Sequence, residues 1–330
     1  MKTLTLISLA SLPLLLASCG GGSSSTNTSS GVGTLSLNLT DAPIDEANAV
    51  WVEFTGLSIK QKSEDEELTA DETTTEEELD TSEWTEITFN EPLRVNLLTL
   101  QGSNHISLLS EQSLPATTYS EIRLHVSMDN ELDTYIELTD GSQHELTVPS
   151  GSQTGLKVKG EITVPENGEV AFTIDFDVRK SIVVQGNGEY KLSPVLKLTE
   201  DSLTGHISGT VESELLTSSE GNWTCSDEDV DSYNAVYVFS GSGATPVDVS
   251  DGSTEPVTTA LVSYDSDNTA YQFEAGYLEA GEYTVAFTCH ADSEDNIAAG
   301  DDLQFIGIEN VTVTAGETSN VDIVAPTPVP

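Results

Sequence analysis

The chain is poor in positive charge. Of its 330 residues, 11 are Lys or Arg and 56 are Asp or Glu, a formal net charge of −45. Phosphate backbones are gripped by basic footprints, so nucleic acid is excluded as a partner. Electrostatic binding to anionic lipid headgroups is excluded on the same ground. No Lys or Arg follows Lys197. Aromatic residues make up only 6% of the chain, so any core must be largely aliphatic. Beyond the N-terminal segment no apolar run approaches the roughly 20 residues of a membrane-spanning helix. The five histidines, His105, His125, His144, His206 and His290, are isolated in sequence. H-E-x-x-H, a G-x-S-x-G elbow and a phosphate-cradling glycine loop before a helix are all absent. Ser152 in Gly151–Gly155 reads as part of a polar turn. These gaps remove the common hydrolase, zinc-peptidase and nucleotide-binding classes.

What is present begins with Lys2 and the apolar run Leu4–Leu16, the pattern of a secretory signal over residues 1–18. Leu16-Ala17-Ser18-Cys19 resembles the lipobox of bacterial lipoproteins. The resemblance implies cleavage before Cys19, lipid on Cys19 as the new N-terminus, and attachment to the lipid bilayer through several acyl chains. Gly20 after the cysteine implies the outer membrane of a cell envelope. Residues 19–33 then form a Gly/Ser-rich tether. With Cys19 lipidated, Cys225 and Cys289 remain as an even pair, which in an exported chain reads as a disulfide. Metal ligation is the alternative, but no histidine or further thiol completes a zinc set.

Strand periodicity dominates the remainder. Leu35, Leu37 and Leu39 alternate with polar residues, as do Ile122, Leu124 and Val126. Asp140-Gly141 marks a hairpin between 135–138 and 145–148, and Asn167-Gly168 a second between 161–164 and 170–176. Residues 34–198 form a first β domain. Its stretch 63–83 carries about a dozen acids and reads as a solvated, disordered loop. Residues 205–324 form a second domain, with strands expected at 206–211, 235–240, 257–264, 270–274, 283–289, 311–314 and 320–324. Short strands separated by Gly, Asp and Ser turns predict a sandwich. Residues 325–330 are a proline-rich tail. The expected fold class is therefore all-β, two β-sandwich domains behind a signal peptide and tether.

Two groups of acids are candidate sites. Asp175 and Asp177 alternate with Phe172, Ile174, Phe176 and Val178, placing them on one strand face with Arg179. They pair locally with Arg179 and Lys180, or join Asp41 and Asp45 in a ligand or calcium site if the fold brings them close. Asp227, Asp229 and Asp231 have D-x-D-x-D spacing, and Asp292 and Glu294 follow Cys289. A disulfide would bring these two acidic loops together, a possible calcium site. Ser232 and Val238 stand where an EF-hand needs Gly and Glu, so it is not an EF-hand. Otherwise the acids are surface solvation, and no cofactor other than calcium is called for.

LTDAP at 39–43, AVWVEFTGLSI at 49–59, VNLLTLQG at 95–102, LPATTYSEIRL at 114–124, GSQTGLKV at 151–158, DFDVRKSIV at 175–183 and YKLSPVLKL at 190–198 resemble a domain family of unknown function, DUF4382. The resemblance implies a β-rich domain of envelope lipoproteins and no assigned activity. GTV at 209–211, FEAGYLEAGEYTVAF at 273–287 and VTVTAGETSNVDI at 311–323 are similar to carboxypeptidase-regulatory or transthyretin-like sandwiches. The expected function is a non-enzymatic envelope lipoprotein that binds or positions a ligand, a glycan or an envelope protein. The alternatives are a calcium-stabilised adhesion or accessory domain, and a carbohydrate hydrolase using paired carboxylates.

Overall fold

The computed structural model describes residues 31–42, 47–63, 83–130, 132–149, 154–217, 225, 234–249, 255–291 and 303–325. Cys19, Asp45, the acidic stretch 64–82, and Asp227, Asp229, Asp231, Asp292 and Glu294 lie outside the described residues.

The N-terminal half contains β1 (Val32–Ala42), β2 (Ala47–Gln61), β3 (Trp84–Asn96), β4 (Ile106–Pro115), β5 (Thr118–Val126), β6 (Tyr135–Leu138), β7 (Gln143–Thr147), β8 (Leu156–Thr163) and β9 (Glu169–Asp177). A one-turn helix α1 (Val178–Ser181) leads to β10 (Ile182–Val184), β11 (Tyr190–Leu192) and β12 (Leu196–Glu200). One sheet has the order β12-β9-β1-β4; the other runs β10-β11-β7-β6-β2-β5-β8, with β3 also pairing along the long strand β2. Alternation sends Leu35, Leu37, Leu39, Phe54, Ile174 and Phe176 into the space between the sheets, where all six are fully buried.

The C-terminal half contains β13 (Thr204–Val211), a short helix α2 (Ser213–Thr217), β14 (Ala235–Ser240), β15 (Thr258–Leu261), β16 (Ser263–Asp265), β17 (Ala270–Glu279), β18 (Gly281–Thr288), β19 (Ile306–Val313) and β20 (Thr318–Asn320). Its sheets are β16-β17-β13-β20 and β15-β14-β18-β19. Val236, Val238, Val285 and Phe287 fill the core between them. The run AVYVF of β14 is buried on both faces, because Tyr237 and Phe239 pack outward against Phe305 and Val249. The molecule is all-β, as expected.

Two strand expectations need correction. Asn167-Gly168 does not close a hairpin: β8 pairs with β5 in one sheet, whereas β9 pairs in parallel with β1 in the other. The turn signal was local and correct, since Asn167 sits at φ 54°, but the turn carries the chain across the sandwich. Residues 257–264 are likewise not one strand. β15 pairs with β14 and β16 with β17, so the chain changes sheets at buried Val262.

The two sandwiches repeat one topology. β1, β2, β4, β5, β8 and β9 correspond in order to β13, β14, β17, β18, β19 and β20. β1 pairs antiparallel with β4 and parallel with β9; β13 does the same with β17 and β20. In the opposite sheet β2-β5-β8 matches β14-β18-β19, all antiparallel. Details repeat too. Tyr119 donates to the Pro115 carbonyl four residues back at 2.9 Å, and Tyr283 to that of Glu279 at 2.8 Å. Each closes the pattern Leu-x-Ala-x-x-Tyr, at 114–119 and 278–283. Thr34 N–H donates to Gly168 O and His206 N–H to Glu317 O, both at 3.0 Å. Gly33 and Gly205 sit where a Cβ would lie 2.1 Å from Pro165 O and 2.3 Å from Thr314 O. A side chain at either position would strike backbone, so glycine is required by close approach.

Candidate functional site

Asp175 and Asp177 stand at the C-terminal end of β9. The parallel register sets Thr40 beside Asp175 and Asp41 beside Phe176. Three of the four acids proposed for one site therefore end on neighbouring strand ends, though not on one face. Asp41 follows the parity of Leu37 and Leu39, is buried, and accepts from Val178 N–H at 3.2 Å. Asp177 caps α1 by accepting from Lys180 N–H at 3.0 Å. Both carboxylates thus satisfy orphan donors of one helical turn.

That turn faces the C-terminal sandwich. Arg179 is not on the strand face with Asp175 and Asp177, because α1 interrupts the alternation. It is 6% exposed and donates through Nη1 to the Tyr237 hydroxyl at 2.9 Å. Its guanidinium also lies 5.8 Å from the Tyr237 ring centroid. Lys180 bridges Asp177 at 3.8 Å and Glu255 of the C-terminal sandwich at 3.2 Å. Lys197 reaches Glu279 at 3.1 Å, but both side chains are over half exposed and the pair contributes little. Burial pushes the Asp175 carboxyl up to about 6, helped by the neighbouring Asp177 charge and opposed by Lys197 and Lys180. Burial also raises Asp177, while the Lys180 N–H and the nearby cations pull it down.

A second contact completes the joint. Thr40 donates to Leu100 O at 2.8 Å and to Asn104 O at 2.9 Å, fixing the loop between β3 and β4. In β17 the register slips opposite His206, so Gly276 and Tyr277 form a bulge, with Tyr277 at φ 55°. The bulge aims Tyr277 at the N-terminal sandwich, where its hydroxyl meets His105 Nδ1 at 2.6 Å. Burial, with the charges of Asp201 and Glu274, pushes the Tyr277 hydroxyl up to about 12. A Cβ on Gly276 would stand 2.0 Å from Gly102 O, so the two backbones touch here. Asp201, in the short linker, accepts from Thr173 at 2.7 Å. Its carboxyl is raised by burial.

Sequence reasoning missed Tyr237, Tyr277 and His105 as joint residues. For Tyr237 the legible signal was the run Val-Tyr-Val-Phe at 236–239, in which valine and aromatic residues alternate as in a strand buried on both faces.

The arrangement holds two halves together. The cavity beside Asp177, Arg179 and Lys180 measures about 10 Å³, space for one water. The nearest approach to a nucleophile–base pair is Ser58 Oγ at 2.5 Å from His125 Nε2 on the outer face of β2 and β5. Glu86 approaches the same Nε2 at 3.4 Å, so it does not orient the ring through Nδ1 as a relay requires. Around them lies much of the chain's positive charge: Lys60, Lys62, Arg123, Lys157 and Lys159 project from β2, β5 and β8 and the end of β2. Arg123 pairs with Glu121 at 2.6 Å and stacks 4.0 Å over Trp84, and Lys62 pairs with Glu161. Among the described residues no group of three or more His, Cys, Asp or Glu side chains could hold a metal ion. Among the described residues no helix is long and apolar enough to cross a membrane. Cys225 and Cys289 form a disulfide with Cα atoms 5.8 Å apart, both buried against the C-terminal core.

Comparison with solved structures gives a shaft pilin, SpaA, from Lactobacillus rhamnosus GG, with 11% identity over 91% of this chain and 100% of that one, at a TM-score of 0.18. A candidate adhesin from Bacteroides ovatus shares 7% identity over 96% of this chain and 100% of that one, at 0.21. The major pilin of Streptococcus pyogenes shares 12% over 89% and 99%, at 0.15. Likenesses of this size determine neither topology nor function. No curated protein matches the chain. The family model described as domain of unknown function DUF4382 matches residues 32–194, which are the N-terminal sandwich from the first residue of β1 to just past β11. The DUF4382 match thus falls on the N-terminal sandwich of this protein.

Proposed function

We propose that this protein is a non-enzymatic lipoprotein of the cell envelope, held to the membrane by lipid on Cys19, whose joined sandwiches bind or position an external ligand. The observation that carries the non-enzymatic reading is the fate of Asp41, Asp175 and Asp177. Asp41 and Asp177 accept from backbone N–H groups of α1 at the joint, with Asp175 on the strand end beside them; the cavity next to Asp177 measures about 10 Å³, and a glycoside hydrolase would need space for a sugar ring and a water between its acids. The anchor is tested by fractionating cells that express the full chain and its Cys19→Ala variant. The wild type is expected in the membrane fraction with a diacylated N-terminal cysteine by mass spectrometry. A wild type that is soluble, or whose first residue is not Cys19, would overturn the anchor.

A calcium-stabilised accessory module is a second reading, favoured by the disulfide. Asp227 lies two residues past Cys225 and Asp292 three past Cys289, so both acidic segments begin next to the same disulfide along the chain. Saturable calcium binding with a raised melting temperature, lost in Asp229→Asn, supports it. Absence of binding to the wild type rejects it.

A further inference from the structure

Cations are scarce in this chain, and nearly half of them share one surface. Strands β8, β5, β2 and β3 lie side by side, and the register decides which of their residues face outward. Leu57, Ile59, Ile122 and Val158 are buried in the core, so the residues alternating with them point away from it. One cross-strand row on that outer face reads Lys159, Glu121, Lys60, Trp84, and the next reads Lys157, Arg123, Ser58, Glu86. Lys62 extends the face at the end of β2, paired with Glu161. Five of the chain's 11 Lys and Arg residues therefore stand on one sheet face, against three carboxylates.

The whole chain, at −45, repels a polyanion from a distance. At physiological salt, however, charge is screened over about 8 Å, so a ligand lying on this face responds to the face itself. Arg123 is held in place there. Its guanidinium lies 4.0 Å over the Trp84 ring, and its Nε donates to Glu121 at 2.6 Å. Its terminal nitrogens have no acceptor among the described residues. Lys157 and Lys159 are exposed and, two residues apart on one strand, stand roughly 7 Å from each other.

The distribution of charge selects the kind of partner. Protein interfaces have an apolar centre from which charge is depleted. Here charge runs through the centre, and the one large apolar side chain in these rows, Trp84, is covered by Arg123. Duplex nucleic acid carries a charge every ~1.7 Å and needs a longer basic track than five cations supply. A polysaccharide with one acidic group on each sugar is thin and sparsely charged, and it can lie flat on a sheet. We propose that the outer face of β8, β5, β2 and β3 binds an acidic polysaccharide, whose carboxylate or sulfate groups pair with Arg123, Lys157 and Lys159. The proposal names the ligand class for the binding-module reading and rests on it.

The test uses the soluble chain from residue 20 onward, titrated by calorimetry with polygalacturonate, which carries carboxylates, and with dextran sulfate. Neutral dextran and a single-stranded oligodeoxynucleotide are the controls. The expected result is saturable binding of at least one acidic polysaccharide and none of dextran, with affinity falling about tenfold or more between about 50 and 200 mM salt. Lys157→Glu combined with Lys159→Glu is expected to weaken binding at least about tenfold, and Arg123→Gln at least about threefold. Lys191→Glu, on β11 farther along the same sheet, is expected to change it less than about threefold. Thermal melts check that each variant folds. Equal losses in Lys191→Glu and in the double variant would overturn the face, because net charge alone would then govern binding. Binding of the oligonucleotide as tightly as of the polysaccharide would overturn the sugar. Salt-sensitive self-association that the double variant abolishes would give the face to a second copy, and binding that appears only after deletion of residues 64–82 would give it to the chain's own acids; either overturns the proposal. No binding of either polysaccharide by the folded wild type would overturn it as well, and neutral glycans and envelope proteins would remain for the broader reading.

Discussion

Replacing Asp175 by Asn should stabilise the protein at neutral pH. In the folded chain burial raises this carboxyl to about 6 from an ordinary value of 3.8. A folded value above the unfolded one means that the native state binds the proton more tightly. The native state is therefore favoured below about pH 4, and that advantage is lost as pH rises through about 6. Two units correspond to roughly 3 kcal/mol as a ceiling. The gain in Asp175→Asn falls short of it, because Lys180 and Lys197 lose an attractive charge. A gain of about 1–2 kcal/mol remains, roughly 2–8 °C in melting temperature for a domain of this size. The assay is differential scanning calorimetry of wild type and variant from pH 4 to pH 8. Subtracting the two curves cancels the many other acids. The difference should be small at pH 4, grow between about pH 4 and 6, and stay flat above pH 7. A variant that melts at or below wild type at pH 7.5, or a gap independent of pH, would refute the reasoning.

Gly276→Ala places a methyl against the Gly102 backbone and should cost about 1–3 kcal/mol, splitting one calorimetric transition into two as the sandwiches separate. Arg179→Ala removes the hydrogen bond and the ring contact to buried Tyr237 and should cost about 2–4 kcal/mol; a double-mutant cycle with Tyr237→Phe should return a coupling above about 0.5 kcal/mol. Cys225→Ser with Cys289→Ser reopens a loop spanning 64 positions and should lower stability by about 4 kcal/mol in chemical denaturation. Equal midpoints for oxidised and reduced protein would contradict the last of these.

Much of the secondary structure was legible locally. Leu35, Leu37 and Leu39 alternate with polar residues because only one face of β1 meets the core, and Asp140-Gly141 does join β6 to β7. The pairing of Cys225 with Cys289 followed from parity once Cys19 was set aside. The same local signals misassigned Asn167-Gly168. A turn dipeptide specifies a reversal, not which sheet receives the next strand, and that choice depends on where the partner of β9 lies, more than a hundred residues upstream in β1.

What the sequence alone determined is therefore what short-range chemistry encodes: strand alternation, turns, the parity of the cysteines and a large excess of acids. The tertiary structure decided the rest. Only folding reveals that two halves repeat one topology and that Asp41 and Asp177 hold α1 at their joint. Each of these depends on contacts between residues far apart in the chain. Burial, not residue type, turns an ordinary carboxyl or tyrosine into part of a joint.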